Sequence, residues 1–175
     1  MVLMGAPQPC SALSLDVGHR RIGLAGCDPL GITVTPLAPL HRQDFDVDLQ
    51  AIATLARQRR VQVLVVGLPL DATQRDTQQA RHCRRYGLRL AKALAAEGLD
   101  LPLVWVNEHT STQMAAERYG LHGDRTGRLD SASAALLLEQ WLREGPLPQP
   151  LATATPSVRL QAHPIHPEGP SVVLP

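Results

Sequence analysis

Three acidic residues interrupt apolar segments of the sequence. Their carboxylates are the best candidates for catalysis or metal binding. Asp16 lies inside an alternating apolar segment, Glu108 follows the run LVWVN, and Asp130 precedes an apolar run. Taken singly, they have ordinary explanations: a turn residue, the first solvated residue after a strand, and an N-cap or first-turn acid. Taken together they favour a shared site, because Asp is uncommon inside strands and acids at junctions around one sheet edge can converge.

Converging carboxylates repel one another unless a hard cation lies between them. Mg²⁺ and Mn²⁺ prefer oxygen ligands, and Mg²⁺ keeps water and substrate oxygens in its octahedral shell. Two such ions about 4 Å apart can activate water and stabilise the leaving oxygen in phosphodiester hydrolysis. Asp16, Glu108 and Asp130 are therefore candidate catalytic residues and candidate ligands for Mg²⁺ or Mn²⁺.

A predicted strand positions the first of these acids. Leu13, Leu15 and Val17 alternate with polar residues, which is the period-two pattern of a strand. The alternation places Asp16 on the face opposite these three apolar side chains. The glycine and basic residues that follow can turn the chain into a second strand.

The remaining hydropathy pattern gives the order β-β-β-α-β-α-β-α-α. Further strands are predicted over residues 22–26, 32–37, 61–67 and 101–106, and helices over about 49–56, 80–94, 112–119 and 130–143. The first three strands are joined by tight turns and should be antiparallel, whereas the last two follow helical crossovers and should be parallel. This order predicts an α/β fold of the ribonuclease H-like kind, with a mixed five-stranded sheet and helices on both faces.

The chain is expected to contain one folded domain, over residues 12–144. Residues 1–11 have the composition of a loose leader. From residue 145 to 175 the sequence is rich in proline, with 8 prolines among the last 30 residues. Because proline lacks a backbone donor and fixes its φ, this segment is predicted to be a disordered tail.

Composition excludes several classes of protein. No uninterrupted apolar run reaches the roughly 18 residues that a transmembrane helix needs, and no secretory signal is evident. The three cysteines are far apart and form no CxxC pair, which argues against a disulfide framework or a thiolate zinc site and favours the cytoplasm. The net charge of +1 argues against a polycationic nucleic-acid coat but permits a local basic patch.

Four segments resemble one known family. They are LDVGHRRIGLA (15–25), VLVVGLPL (63–70), VNEHTST (106–112) and LDSASAALLLEQWL (129–142), and they occur in the family's order. They resemble the YqgF family, bacterial proteins similar to Holliday junction resolvases and also described as pre-16S rRNA nucleases. The resemblance covers residues 12–144. It implies a ribonuclease H-like fold, metal-dependent nuclease activity in rRNA maturation, and an acidic site at Asp16, Glu108 and Asp130.

The chain departs from the family pattern at two places. Where the family usually has Asp-Glu-Arg, this sequence has Asn107, Glu108 and His109, so one carboxylate and one guanidinium are missing. Asn107 can still offer a carbonyl oxygen to a metal, and His109 can be cationic or act as a general acid. The segment 70–76 lacks the glycine that usually follows Gly-Leu-Pro, so this loop is expected to differ in shape and in substrate contact.

Basic residues near the proposed site are candidates for contacts with nucleic acid. The predicted set is Arg20, Arg21, Arg81, Arg84 and Arg85. Phosphate contacts supply most non-specific affinity for nucleic acid, although a solvated helix face would have the same composition. Aromatic residues make up 3% of the chain, which favours recognition of shape and backbone over base stacking.

The sequence leaves the substrate and the activity open in part. The expected partner is RNA, namely pre-16S rRNA, or branched DNA, with no membrane partner and with a monomer or homodimer as the active form. A Holliday junction endonuclease and a non-catalytic nucleic-acid-binding protein are alternatives. An actin-like or sugar-kinase-like ATPase shares the Asp-x-Gly-x-x-x-x-Gly spacing, but such enzymes clamp nucleotide between two domains and need about twice this length.

Overall fold

A computed structural model describes residues 10–108, 111–146 and 148, with only the backbone described for 111–113. His109, residues 1–9 of the predicted leader and residues 149–175 of the predicted tail lie outside the described residues. At the edges of the described part, Ser11 is buried and its hydroxyl donates to the carbonyl of Arg59 at 2.9 Å.

Six strands form one sheet: β1 (Ala12–Val17), β2 (Arg21–Cys27), β3 (Val34–Pro36), β4 (Leu40–His41), β5 (Val63–Leu68) and β6 (Leu103–Asn107). Their order is β3-β2-β1-β5-β6, with β4 also paired to β2. The first strands are antiparallel, and β5 and β6 run parallel to β1. The mixed sheet is thus confirmed with one strand more than predicted, since β4 has two residues and is too short to show a period.

Four helices cover the sheet: α1 (Phe45–Gln58), α2 (Gln78–Ala96), α3 (Ser111–Tyr119) and α4 (Arg128–Glu144). On one face, α1 and α2 bury the apolar side chains of β1 that alternate with Asp16, among them Leu13 and Leu15. On the other face, Leu137 and Trp141 of α4 pack against the opposite side chains of β5 and β6. The prediction of helices on both faces is confirmed. No helix of the described part is long and apolar enough to cross a bilayer.

The face of β1 that carries Asp16 is turned toward α4. Ser14, two residues before Asp16, is fully buried, and its hydroxyl donates to the carbonyl of Ala134 in α4 at 2.6 Å. Ser131 in the first turns of α4 accepts a hydrogen bond from the backbone amide of Leu24 at 3.2 Å. These bonds hold the start of α4 directly over β1 and β2, so α4 closes one side of the predicted site.

Candidate active site

Asp16 has a glycine beside it on each neighbouring strand. In the antiparallel pair it faces Gly23 of β2, and in the parallel pair Leu15 faces Val66, which places Gly67 of β5 next to Asp16. A strand interior disfavours glycine unless something must approach closely. The two glycines therefore mark the places where other groups approach Asp16.

The gap at Gly67 is filled by Glu108. A Cβ at Gly67 would overlap the Glu108 carboxylate and would lie 2.7 Å from a methyl carbon of Leu137. Glu108 follows the end of β6, and its backbone amide donates to the carbonyl of Leu68 at 2.9 Å. Glu108 can thus reach across β5 to Asp16 because β5 has no side chain at this position.

The gap at Gly23 is filled by the first turn of α4. A Cβ there would overlap the backbone carbonyl of Asp130 and would lie 2.7 Å from the amide nitrogen of Ser131. Asp130 is therefore held close to Asp16 by the packing of its own backbone on β2.

Asp16 and Glu108 form a coupled acid pair. The two carboxyl groups lie within hydrogen-bonding reach of each other, and a bond between them requires a proton on one of them. Burial raises the pKa of Asp16 well above its usual range, and the neighbouring Glu108 and Asp130 raise it further. Burial also raises the pKa of Glu108. Such a pair holds a proton at a pH at which isolated carboxyl groups are ionised.

Asp130 is bound to a predicted nucleic-acid-binding arginine. Arg21 Nε donates to Asp130 Oδ2 at 2.8 Å, and its Nη1 donates to the carbonyl of Arg125 at 3.1 Å. Both side chains of the ion pair are about one-third exposed, at 32% for Arg21 and 34% for Asp130. Arg21 thus fixes the direction of the Asp130 carboxylate rather than projecting freely toward a ligand.

The interpretation of Asp130 as an N-cap is wrong. Gly127 is the N-cap of α4, in the left-handed conformation with φ 92°, and Asp130 is the third residue of the helix. The exposed amide of Leu129 is satisfied by Asp124 Oδ2 at 3.2 Å. Since other residues cap α4, the Asp130 carboxylate is not needed for that role.

The oxygen atoms of this site suit a hard divalent cation. Glu108 Oε1 and Asn107 Oδ1 are buried and have no hydrogen-bond partner, while Asn107 Nδ2 donates to Gln74 Oε1 at 2.8 Å. Buried unpartnered oxygens cost free energy unless a cation or water satisfies them. Asp16 and Glu108, with Asp130 beside them, therefore supply oxygen donors of the kind that Mg²⁺ or Mn²⁺ prefers.

The structure brings Glu108 to Asp16 and places Asp130 nearby. Asp16 and Glu108 are in contact, and Asp130 is near enough to raise the pKa of Asp16. Within the described part of the chain, no three His, Cys, Asp or Glu side chains are arranged to hold an ion together. Asp130 instead satisfies its charge with Arg21, which physically relieves the repulsion among the three carboxylates.

The other predicted arginines differ in their surroundings. Arg84 makes a bidentate ion pair with Asp76, at 2.9 and 3.1 Å from Nε, and stacks over Trp105. Arg81 donates to the backbone carbonyl of Asp76 at 3.0 Å. Arg20 and Arg85 are exposed, and neither forms an ion pair with a residue that the structure describes.

Sequence reasoning missed the pairing of the two glycines with Asp16 and the bond between Gln74 and Asn107. In the structure, Gly67 provides the space for the Glu108 side chain. The available signal was a glycine inside each of two apolar strands, which indicates a close approach by another group.

Comparison with known proteins identifies the family. The model of the RuvX family, described as Holliday junction resolvase, matches residues 10–144. The chain belongs to the RuvX family. A relative from Parasynechococcus marenigrum (strain WH8102), named putative pre-16S rRNA nuclease, is 69% identical over 140 residues, covering 80% of this chain and 86% of the relative. A relative of the same name from Prochlorococcus marinus (strain MIT 9313) is 60% identical over 159 residues, 91% of each chain.

A solved structure confirms the fold of this RuvX-family chain. The T. thermophilus RuvC in complex with a Holliday junction substrate superposes with a TM-score of 0.53 at 13% identity, covering 81% of this chain and 99% of RuvC. At that identity the likeness concerns the fold alone. The ribonuclease H-like prediction is confirmed.

Proposed function

We propose that this chain is a metal-dependent endonuclease of structured nucleic acid, acting in the cytoplasm on the precursor of 16S rRNA. The observation that carries the proposal is the Asp16–Glu108 acid pair, assembled over Gly67 with an unpartnered buried oxygen on Glu108. The match to the RuvX family and the names of the relatives support the activity and the substrate.

The site residues have separate tasks in this proposal. Asp16, Glu108 and Asp130 would hold Mg²⁺ or Mn²⁺. When bound, the metal supplies an activated water and positive charge near the leaving oxygen. The proton shared by Asp16 and Glu108 must leave before both carboxylates can act as anionic ligands. Arg21 positions Asp130, and its second bond to the carbonyl of Arg125 limits its movement.

The substrate is proposed to be read through its backbone. Exposed Arg20 and Arg85 can contact phosphates, whereas the chain offers few aromatic side chains for stacking on bases. His109, which follows Glu108 in the sequence, is proposed to be a further cation at low pH.

A Holliday junction remains a second candidate substrate. The RuvX description and the RuvC fold favour it, and a junction presents closely spaced phosphates without requiring base readout. Cutting a junction symmetrically takes two sites, so this activity requires a homodimer, whereas a single cut in rRNA needs only a monomer.

The free energy needed to hold two acids together argues against a purely non-catalytic binding protein. Two coupled carboxyl groups with raised pKa values destabilise a folded protein at neutral pH, so a pure scaffold gains nothing from them. The ATPase alternative gains no support from the family match.

Cleavage of labelled substrates tests the proposal. End-labelled RNA spanning the 5′ end of 16S rRNA and a four-way DNA junction are incubated with Mg²⁺, Mn²⁺ or EDTA. We expect cleavage of the RNA with either metal and none with EDTA. The variant Asp16→Asn should lose at least about 100-fold in rate, as expected when an electrostatic contribution of about 2.7 kcal/mol or more is removed.

A matched charge control uses Asp100→Asn, which changes an exposed acid of the same type outside the site. This variant should cleave at the wild-type rate. Cleavage of the junction alone would replace the rRNA assignment with the DNA one. Equal rates for Asp16→Asn and wild type would contradict the nuclease site itself.

A further inference from the structure

A second polar cleft lies on the α2 side of the sheet. It has a volume of about 330 Å³ and is lined by His19, Gln78, Gln79, His82 and Arg85, which we call the histidine cleft. Three of these residues are basic, two carry amides and none is acidic. Liquid water occupies about 30 Å³ per molecule, so the cleft has room for a phosphate group and several waters.

The histidine cleft is joined to the backbone directly after Asp16. Gln79 Nε2 donates to the carbonyl of Val17 at 2.9 Å, and Arg42 Nη1 donates to the carbonyl of Gly18 at 2.9 Å. A ligand in the cleft therefore lies close to the end of β1, whose other face carries the acid pair. A polymer that crosses this strand end can reach both places.

The protonation of His82 follows from its contact with Arg42. Arg42 Nη1 lies 3.2 Å from His82 Nε2. Arginine only donates hydrogen bonds, so His82 Nε2 must accept and the ring carries its proton on Nδ1. The ring of His19 stacks against that of His82 with centroids 4.7 Å apart. A second proton on His82 would break the bond from Arg42 and add a cation to the cluster.

The charged groups around His82 are almost all positive. His19 faces it from the β1–β2 turn, Arg42 from the segment after β4, and Arg85 from α2 itself. Burial lowers the pKa of His82, and these three groups lower it further. From α1, Asp48 lies 3.6 Å from Arg42 but is fully buried, where it accepts from Tyr86 and from the amide of Gln43. Asp48 thus balances Arg42 from the interior and leaves the cleft positive.

We propose that the histidine cleft binds one backbone phosphate of the nucleic-acid substrate, outside the catalytic centre, and binds it more tightly when its histidines are protonated. A phosphate oxygen between Arg42 and His82 accepts from both, which replaces the bond that protonation breaks. Arg85 and the amide of Gln78 supply further donors at the rim. This proposal rests on the proposed function, because it assumes a nucleic-acid substrate.

The first test uses inorganic phosphate and the full chain in EDTA. The ring C–H signals of the histidines are followed by NMR from pH 5.5 to 8 with phosphate or with chloride at equal ionic strength. A phosphate bound in the histidine cleft should raise the titration midpoints of His19 and His82 by about one unit. His122, an exposed histidine outside the cleft, is the internal control and should not move. Equal movement of all three, or no movement, would overturn the proposal.

The second test measures binding of labelled structured RNA in EDTA by fluorescence anisotropy at pH 6.0 and 7.5. Wild type should bind more tightly at pH 6.0, with about tenfold as the upper limit for each histidine whose pKa phosphate raises by one unit. His82→Gln keeps an acceptor for Arg42 but cannot titrate in this range, so its affinity should lose the part of the pH dependence that His82 contributes. His122→Gln, the matched control, should retain it.

The outcomes separate this site from the nuclease activity. If RNA affinity is independent of pH while metal-dependent cleavage persists, the cleft proposal fails and the proposed function stands. If phosphate moves only His19 and His82 but cleavage is absent, the nuclease assignment fails instead. A response to inorganic phosphate without any effect of His82→Gln on RNA binding would make the cleft a free-phosphate site and overturn its role on the backbone.

Discussion

Asp16 is the residue at which folding and function conflict in this protein. Its side chain is largely removed from solvent and lies beside Glu108, with Asp130 nearby. Burial and the two neighbouring carboxylates both disfavour its ionised form. Without a cation, the folded protein accommodates the conflict by retaining a proton on the pair and by pairing Asp130 with Arg21.

A proton retained by the Asp16–Glu108 pair makes the stability of the folded protein depend on pH when EDTA keeps metal ions away. The folded pKa values of both carboxyl groups are raised, so the folded state binds more protons than the unfolded state above about pH 4. Linkage then requires the contribution of the pair to stability to fall as pH rises from the unfolded pKa through the folded one. We expect the thermal midpoint of wild type to fall between pH 5 and 8 relative to Asp16→Asn, measured by scanning calorimetry. A steeper fall in Asp16→Asn than in wild type would contradict the shared proton.

Replacing Asp130 with Asn distinguishes a metal ligand from a partner of Arg21. Because Gly127 and Asp124 cap α4, the change leaves the helix start intact. The ion pair with Arg21 is one-third exposed, so its loss should cost at most about 1 kcal/mol. Cleavage with Mg²⁺ should nevertheless be abolished, since a neutral amide does not offset divalent charge. The readouts are the initial cleavage rate and the urea midpoint.

Arg21→Gln is the companion to Asp130→Asn. It removes the same ion pair but keeps the carboxylate, so it should retain part of the cleavage that Asp130→Asn loses. Wild-type cleavage by Asp130→Asn would show that Asp130 only holds Arg21.

At the scale of elements, the register between strands assembles the site. β2 and β5 each present a glycine to Asp16, and each glycine admits one further acid, Asp130 on one side and Glu108 on the other. The acids thus meet because two neighbouring strands lack side chains at the level of Asp16.

Gly67→Ala tests this role of the strands. The added methyl group would overlap the Glu108 carboxylate and crowd Leu137. We expect Glu108 to be displaced, the cleavage rate to fall by about 100-fold or more, and stability to fall by about 1–3 kcal/mol from overpacking. Gly26→Ala is the control in the same sheet, because its methyl group meets the flexible guanidinium end of Arg59. It should leave the cleavage rate unchanged, and an equal loss in both variants would refute a specific role for Gly67.

The alternation of apolar and polar residues and the predicted helical crossovers were sufficient to predict the order of elements. The alternation also predicted the face on which Asp16 lies. They could not show that Gly23 and Gly67 flank it, because register depends on pairing between distant segments rather than on local pattern. The hydrogen bond between Gln74 and Asn107 joins a loop to the end of β6, and no hydropathy pattern in the sequence indicates it. The sequence left Asp130 open as an N-cap or a first-turn acid because the two have similar signatures, and the structure shows the first-turn position.

At the scale of the whole molecule, the two proposed sites occupy opposite faces of one strand end. The acid pair lies on the α4 side, and the histidine cleft lies on the α2 side, joined to the carbonyls of Val17 and Gly18. A nucleic acid bound at both would cross the β1–β2 turn, where Arg20 is exposed. A net charge of only +1 is compatible with this arrangement, because Arg20, Arg42 and Arg85 supply local positive charge.

The boundary between domain and tail is testable by two truncations. Trp141 is fully buried on the α4 side, and its indole Nε1 donates to the carbonyl of Pro146 at 2.7 Å. Deleting residues 149–175 keeps this acceptor, and the proline-rich composition predicts little change in thermal midpoint. Deleting residues 146–175 removes it and should cost about 1–3 kcal/mol, the range for an unsatisfied buried donor. At this chain length that corresponds to a decrease of roughly 2–12 °C by differential scanning fluorimetry. An equal decrease in thermal midpoint for both truncations would show that the tail beyond residue 148 stabilises the domain. No decrease for either would show that water replaces the carbonyl of Pro146 at the indole.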